Sequence, residues 1–416
     1  MPEISYYKPL NMQSSNKMVY LAVAVSALGY FVDIYDLLLF NVFRTKSLLE
    51  IGVAQADLVS AGIKILNWQM DGMLLGGIIW GILGDKLGRM RVLFGSILLY
   101  SLASLANAWV SSADGYAVLR FIAGFGLSGE IGAGITLVSE LMPKEKRGYA
   151  TAIVAGVGVA GASVAGLVGE IMYWRHAYIL GGVMGLALLI LRVSIHESPI
   201  FKALENSSVQ RGDLRLLFAS AERVKRLVYC VLIGLPIWYI TAIMVTFAPE
   251  FGRAQGLADP LVTGRIIIIQ ALSMAFGDLV SGFISQGLRS RKKVLAVFLL
   301  MTVAVLQVLF SGVLTKSYQI YTAFGFIGFF TGYWAVFLTS TTENFGTNLR
   351  ATVTTSVPNF VRGLTIPITL GFRALEGTFG FVLSAQLIGL VVMSLSAFAL
   401  LRLRETYGIS LEYVEE

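Results

Sequence analysis

Long apolar runs alternate with short clusters of charge along the whole chain, in a pattern that fits neither the two-residue period of a half-buried strand nor the one-sided stripe of a surface helix. Twelve such runs can be marked, at approximately 18–43, 62–84, 93–112, 116–142, 148–171, 174–195, 226–250, 264–287, 294–314, 318–342, 352–373 and 380–402. A helix of about 20 apolar residues crosses the ~30 Å hydrocarbon core of a bilayer. Each run therefore predicts a membrane-crossing helix, and together they predict an all-α membrane protein with 12 transmembrane helices. The longest polar segment, 196–225, falls between the sixth and seventh runs. It divides the chain into an N-terminal six-helix bundle at 1–195, a linker at 196–225, and a C-terminal six-helix bundle with a short tail at 226–416.

Composition agrees. Of 416 residues, 56% are hydrophobic and only 14% are charged, against about 25% charged in soluble chains. Mean hydropathy is +0.75. The net charge of +7 is explained by topology rather than by a nucleic-acid partner, because the cations sit between the apolar runs. On the side that holds the N-terminus there are 22 Lys and Arg, against seven on the other side. Both termini and the linker are thus expected to face the cytoplasm, in a multi-pass protein of the cell (inner) membrane. Met1 to Lys17 is polar and the first apolar run is too long for a cleavable signal. One cysteine (Cys230) and two histidines (His176, His196) speak against a disulfide framework or a His-based metal centre, and no cofactor is expected.

The halves echo one another. Glu140-Leu-Met-Pro-Lys-Glu-Lys-Arg147 after span four has a counterpart in Glu343-Asn-Phe-Gly-Thr-Asn-Leu-Arg350 after span ten. The turn from Gly81 to Arg91 after span two has a looser echo from Gly282 to Lys293 after span eight. Parallel repeats mark transporters whose site lies between two halves.

Three segments carry a family resemblance. Gly81-Ile-Leu-Gly-Asp-Lys-Leu-Gly-Arg-Met-Arg91 reads by itself as a charged turn with membrane anchors, but it resembles the signature loop of the major facilitator superfamily. Arg120-Phe-Ile-Ala-Gly-Phe-Gly-Leu-Ser-Gly-Glu130 is similar to the fourth-helix pattern of proton-coupled members. Span five lacks the Gly-Pro pair of drug/proton antiporters, which leans toward symport. Leu28-Gly-Tyr-Phe-Val-Asp-Ile-Tyr-Asp-Leu-Leu-Leu-Phe-Asn41 looks like the first helix of the metabolite:proton symporter branch, where Asp33 and Asp36 match two acids that bracket an aromatic residue. The resemblance implies two six-helix bundles, alternating access and a cytoplasmic gate that involves Asp85, Gly88, Arg89, Glu140 and Arg147. One departure is visible: Met73-Leu74 stand where members of the branch carry Arg-Pro, so no known substrate is inherited.

Ionisable groups within a span cost roughly 2.5–3.5 kcal/mol on insertion scales and are functional candidates by default. Asp33 and Asp36 share a helix face, and Arg120 lies at matching depth on an antiparallel span. The pattern fits an Asp36 that alternates, with Asp33 close by, between a proton and an ion pair with Arg120; a static buried bridge fits it too. Glu130, deeper toward the cytoplasm, is either a proton-release site or a helix-bonding group. Asp71 has Lys64 and Asn67 nearby as partners. Arg362, near the midplane of span eleven, either pairs with Asp278 or binds an anion such as a substrate carboxylate. Pro358, Asn359, Gly363 and Pro367 predict a bent helix around it. Trp238 and Tyr239 beside Pro236, with Tyr333 and Trp334, either stack on a flat or cationic ligand or simply pack. The candidate substrate set is Tyr30, Asn41, Trp238, Tyr239, Tyr333, Asn359 and Arg362, and the proton-coupling set is Asp33, Asp36, Arg120 and Glu130.

The expected function is secondary active import of a small polar, carboxylate-bearing metabolite with protons, by a monomer in the bilayer. A proton-independent facilitator or exchanger of the same fold is the alternative. An enzyme is disfavoured because no His pair, Cys-His pair or metal cluster falls at midplane depth, and a channel because no filter motif is visible.

Overall fold

The computed structural model describes residues 16–87, 89–141, 147–192, 218–345 and 347–408, and these are almost entirely helical. Six helices precede the linker: α1 (Asn16–Glu50), α2 (Leu58–Leu87), α3 (Arg89–Asn107), α4 (Ala113–Leu141), α5 (Arg147–Ile171) and α6 (Trp174–Arg192). After it come α7 (Ala221–Tyr239), a π-helical turn (Ile240–Val245), α8 (Ala248–Ala254), α9 (Thr263–Gly287), α10 (Arg291–Phe310), α11 (Ser317–Thr331), α12 (Trp334–Glu343), α13 (Thr347–Gly363) and α14 (Thr365–Arg402).

Among the described residues, nine helical stretches are long and apolar enough to cross a membrane. The last of them, Ser356–Arg402, contains two crossings that meet at Gly380, whose φ of 73° breaks the helix. The remaining two crossings are α2, whose apolar content is diluted by Lys64, Asn67, Gln69 and Asp71, and α4, which carries Arg120 and Glu130. Each of the twelve runs read from hydropathy therefore contains a helix, with four differences in outline. Helix α1 runs about two turns past the end of its run, to Glu50. Span seven is α7, the π turn and α8 in series, and span ten is α11 and α12 with a break at Gly332-Tyr333. Span eleven breaks at Leu364, where Thr365 Oγ1 donates to the carbonyl oxygen of Arg362 at 2.6 Å. The predicted bend thus lies just after Pro358 and Gly363.

Helices in a bilayer gain little from hiding apolar surface from one another, so close packing of small residues holds them together. A Cβ added at Gly161 of α5 would lie 2.1 Å from the carbonyl oxygen of Phe31 on α1, and one at Gly124 of α4 would lie 2.2 Å from that of Gln69 on α2. Gly124 and Gly161 are there because backbone meets backbone.

The two sets of helices meet along α5–α9 and α2–α13. Their outer ends are tied by polar contacts. Arg44 Nη2 lies 2.6 Å from Glu250 Oε1 with both side chains buried, and Arg44 caps the Phe247 ring at 4.4 Å. Asn41 Nδ2 donates to Thr246 Oγ1 at 2.8 Å, Thr369 Oγ1 to Asn67 Oδ1 at 2.6 Å, and Arg265 Nε to Glu170 Oε1 at 2.8 Å. At the cytoplasmic end of the second half, Glu343 pairs with Arg291 at 3.2 Å. That pair joins the echo of Glu140 to the echo of the 81–91 turn. Gly88 lies outside the described residues, as do the side chains of Asp85, Arg89, Glu140 and Arg147, so the expected first-half gate stays an expectation.

Candidate functional site

Gly29, Asp33 and Asp36 follow one another at i, i+4 and i+7, so they form a single stripe along α1. Around that stripe the structure gathers charge of both signs. At the outer end, Arg120 Nη1 from α4 lies 3.1 Å from Asp36 Oδ2 and donates also to the Asp36 carbonyl oxygen at 3.2 Å. Ser104 of α3 donates to Asp36 Oδ1. The Arg120 guanidinium sits 4.9 Å from the centre of the Tyr178 ring, and the Tyr178 hydroxyl is 2.6 Å from that of Tyr116. Arg120 and Asp36 are wholly shielded from solvent.

One turn inward of Asp33, Glu130 of α4 and Arg192 at the end of α6 form a two-pronged ion pair, one contact of which is 3.1 Å; both side chains are buried. Only a glycine fits beside it. A Cβ at Gly29 would lie 2.0 Å from Glu130 Oε1 and 2.5 Å from Arg192 Nη2.

Asp33 itself is in neither pair. It is buried, and its Oδ1 has no hydrogen-bond partner among the described residues. Its electrostatic neighbours are Glu130, Arg362, Asp36 and Arg192.

Arg362 reaches the same region from the second half. It is buried, its guanidinium lies 5.2 Å from the centre of the Trp238 ring, and Nη1 donates to Asn359 Oδ1 at 3.3 Å. Its Nε has no partner among the described residues. Tyr30 of α1 lies within electrostatic reach of Arg362, Asp33 and Asp278, and Trp334 neighbours its hydroxyl. Asn359 Nδ2 donates to the Ser128 carbonyl oxygen at 3.3 Å across the seam, beside Gly77, where a Cβ would come within 2.6 Å of that nitrogen. The result is a buried cluster to which both halves contribute: one guanidinium whose Nε is unpartnered and one carboxylate whose Oδ1 is unpartnered among the described residues, with Tyr30, Trp238 and Trp334 beside them.

Of the two partners open to Arg362, Asp278 is occupied elsewhere. Its Oδ1 accepts the backbone N–H of Ala335 at 3.0 Å, where α12 begins after the break in span ten. A carboxylate at a helix N-terminus is well matched to the exposed amides there. Tyr30, Trp238, Asn359 and Arg362 are brought together. Three other substrate candidates are not. Asn41 belongs to the outer seam, three turns from Tyr30, because its amide is taken by Thr246. Tyr239 and Tyr333 spend their hydroxyls on the carbonyl oxygens of Ala385 (2.7 Å) and Ile233 (3.1 Å), so they fasten the second half internally. Trp334, the neighbour of Tyr333, supplies the ring instead. Asp71 gains neither expected partner: Lys64 pairs with Asp114 at 2.6 Å and Asn67 bonds to Thr369.

Arg192 is the site residue that charge counting hides, since it stands where positive-inside anchors stand. The only signal for it in the sequence is the buried acid Glu130, which needs a counter-ion.

Comparison with known proteins follows this geometry. Residues 19–370 match the sequence profile of the Major Facilitator Superfamily. A putative niacin/nicotinamide transporter of Bacillus subtilis is 24% identical over 359 residues, which are 85% of this chain and 88% of that protein. The 4-hydroxybenzoate transporter of Pseudomonas putida is 29% identical over 210 residues, 49% of this chain and 45% of that protein. A crystal structure of a D-xylose-proton symporter superposes with a TM-score of 0.72 at 16% identity, covering 95% of this chain and all of that one, which shows the shared fold. With twelve helical crossings, the superfamily's profile over most of its length and that superposition, the chain belongs to the Major Facilitator Superfamily and is a transporter, not an enzyme.

Proposed function

We propose that this protein imports a small carboxylate-bearing metabolite with a flat ring, together with a proton, by alternating access between an N-terminal bundle (1–195) and a C-terminal bundle (226–416). The observation that carries the reading is Arg362, a buried guanidinium with a free edge beside Trp238, at the seam of the two halves. Such a fork suits a planar carboxylate, and the neighbouring indole suits a ring attached to it. Niacin and 4-hydroxybenzoate, named for two relatives, are both ring carboxylates. Proton coupling is supported by the buried acids Asp33, Asp36 and Glu130 around Arg120 and Arg192. A monomer in the cell's inner membrane, with both termini cytoplasmic, is part of the same proposal.

The experiment is internal acidification of pyranine-loaded proteoliposomes, challenged from outside with nicotinate, 4-hydroxybenzoate, aliphatic acids, amino acids and betaines. Acidification by ring carboxylates alone is expected. Tracer uptake without acidification would make the protein a facilitator or exchanger, the alternative that the closed Asp36–Arg120 and Glu130–Arg192 pairs favour.

Alternating access also assigns a task to the outer seam. Arg44 and Glu250 hold that end shut, and cutting one partner of a buried pair strands the other charge. Glu250→Gln is therefore expected to open the outer side more often. A cysteine at Leu38, which packs against the second half's core, introduced with Cys230→Ser, should react with an impermeant maleimide at least tenfold faster in that background. Unchanged labelling would remove the pair from the gate.

A further inference from the structure

Three acids and three arginines gather on and around the middle of α1 among the described residues. Asp36 is paired with Arg120, and Glu130 with Arg192. The two charges left over lie within electrostatic reach of each other, Asp33 on α1 of the first half and Arg362 on α13 of the second. Each is almost wholly buried, and each has a polar atom, Oδ1 and Nε respectively, that no described group satisfies. The nearby Asp278 is engaged elsewhere, since its Oδ1 accepts the Ala335 amide that opens α12.

Buried charge must be balanced, because an uncompensated ion in low dielectric costs several kcal/mol. With the site empty, the Asp33 carboxylate balances the Arg362 guanidinium. A substrate carboxylate that settles on Arg362 adds a second negative charge, and the site tolerates it only if one negative charge leaves. We infer that Asp33 and the substrate carboxylate compete for Arg362, so that the substrate binds when Asp33 has taken up a proton. The inference rests on the carboxylate and proton reading above and makes it definite. One proton travels with each carboxylate, the proton rides on Asp33, and the loaded site has the same net charge as the empty one. Asp36 and Glu130 then keep their arginines throughout. The other ionisable groups around Asp33 are Tyr30 and Asp36 on α1, Tyr100 on α3, Glu130 on α4 and Arg192 on α6; of the acids, Asp36 and Glu130 have arginines of their own, and Tyr100, whose hydroxyl lacks a partner among the described residues, does not neighbour Arg362.

The test uses the full-length protein in detergent and in proteoliposomes, with nicotinate and 4-hydroxybenzoate as probes. In weakly buffered solution the wild type should take up one proton per carboxylate bound, and its Kd should rise about tenfold per pH unit once Asp33 is ionised. In liposomes on a solid-supported membrane it should carry the acid with no net current. Asp33→Asn mimics the protonated acid. It should bind the probe with no proton uptake, with a Kd flat in pH and below the wild-type value at alkaline pH, and should now move one negative charge per carboxylate. Asp33→Ser is the second variant and should behave the same way if Asp33→Asn does not insert. Proton uptake or a pH-dependent Kd that persists in these variants overturns the assignment to Asp33 while leaving proton symport intact. Binding or uptake of neither probe, or uptake with no proton in the wild type, overturns the parent reading and the inference with it. A net current in the wild type overturns the charge balance.

Discussion

Arg362→Gln should raise the Kd for a ring carboxylate by about 30-fold to several thousandfold, the range set by the ~2–5 kcal/mol lost when one partner of a buried charge pair is removed. Arg362→Lys should retain part of the affinity, since the charge survives, but should lose the bidentate fork and the flat contact with Trp238 and so sit at least about tenfold above wild type. A merely structural arginine would give a different signature. The Arg362 guanidinium is desolvated with only Asn359 and the Trp238 ring as direct partners among the described residues. Replacing it relieves a burial cost, and Asp33, left without its counter-charge, can take up a proton, so thermal stability in detergent should hold while binding collapses. Tryptophan quenching for Kd, tracer uptake and a thermal-shift measurement on the same samples check the three statements. Uptake within threefold of wild type in Arg362→Gln would take the arginine out of the substrate site.

How much of this was legible beforehand follows from what each signal measures. Hydropathy located all twelve crossings because a membrane span must satisfy its backbone internally and present apolar side chains over a fixed thickness. It could not see the breaks at the π turn, at Gly332-Tyr333 and at Leu364. These come from the local chemistry of Pro236, Gly332 and Gly363, which barely changes mean hydropathy. Charge inside a span flagged Asp33, Asp36, Arg120, Glu130 and Arg362, and the structure gathers them around the middle of α1. Charge at a span's edge carried no such flag. Arg44 and Arg192 were counted as loop cations, yet both are buried partners of acids. Helix α1 runs on to Glu50, which places Arg44 inside the protein. For the aromatics the sequence gives residue type but not direction. Of the adjacent pairs, Trp238 turns to Arg362 while Tyr239 turns to α14, and Trp334 reaches Tyr30 while Tyr333 reaches α7. Helical phase separates neighbours by 100°, but which neighbour faces the seam depends on the breaks in spans seven and ten.

Asp36→Asn should lower stability by about 3–5 kcal/mol, because it leaves the Arg120 guanidinium charged and unpaired in the interior. Two further Arg120 nitrogens already have no partner among the described residues, so the protein holds no second acid in reserve there. Loss of uptake in this variant alone would thus be ambiguous: a damaged helix junction and a missing proton carrier look alike. Asp36→Asn with Arg120→Gln separates them. Removing both charges of a buried pair is close to neutral; the asparagine keeps the length of Asp36 beside Ser104, while the glutamine, two atoms shorter than arginine, leaves the junction between α1 and α4 looser. The double variant should regain most of the lost stability and appear at near wild-type levels in membranes. Its acidification assay then decides between two roles. If Asp36 is the acid that alternates between a proton and Arg120, the double variant moves substrate without protons. If Asp36 and Arg120 hold α1 in register so that Asp33 can face Arg362, acidification persists, with one proton per carboxylate and a rate reduced only by the looser junction. The geometry favours the second outcome, because both oxygens of Asp36 are engaged and the free carboxylate oxygen on this face of α1 belongs to Asp33.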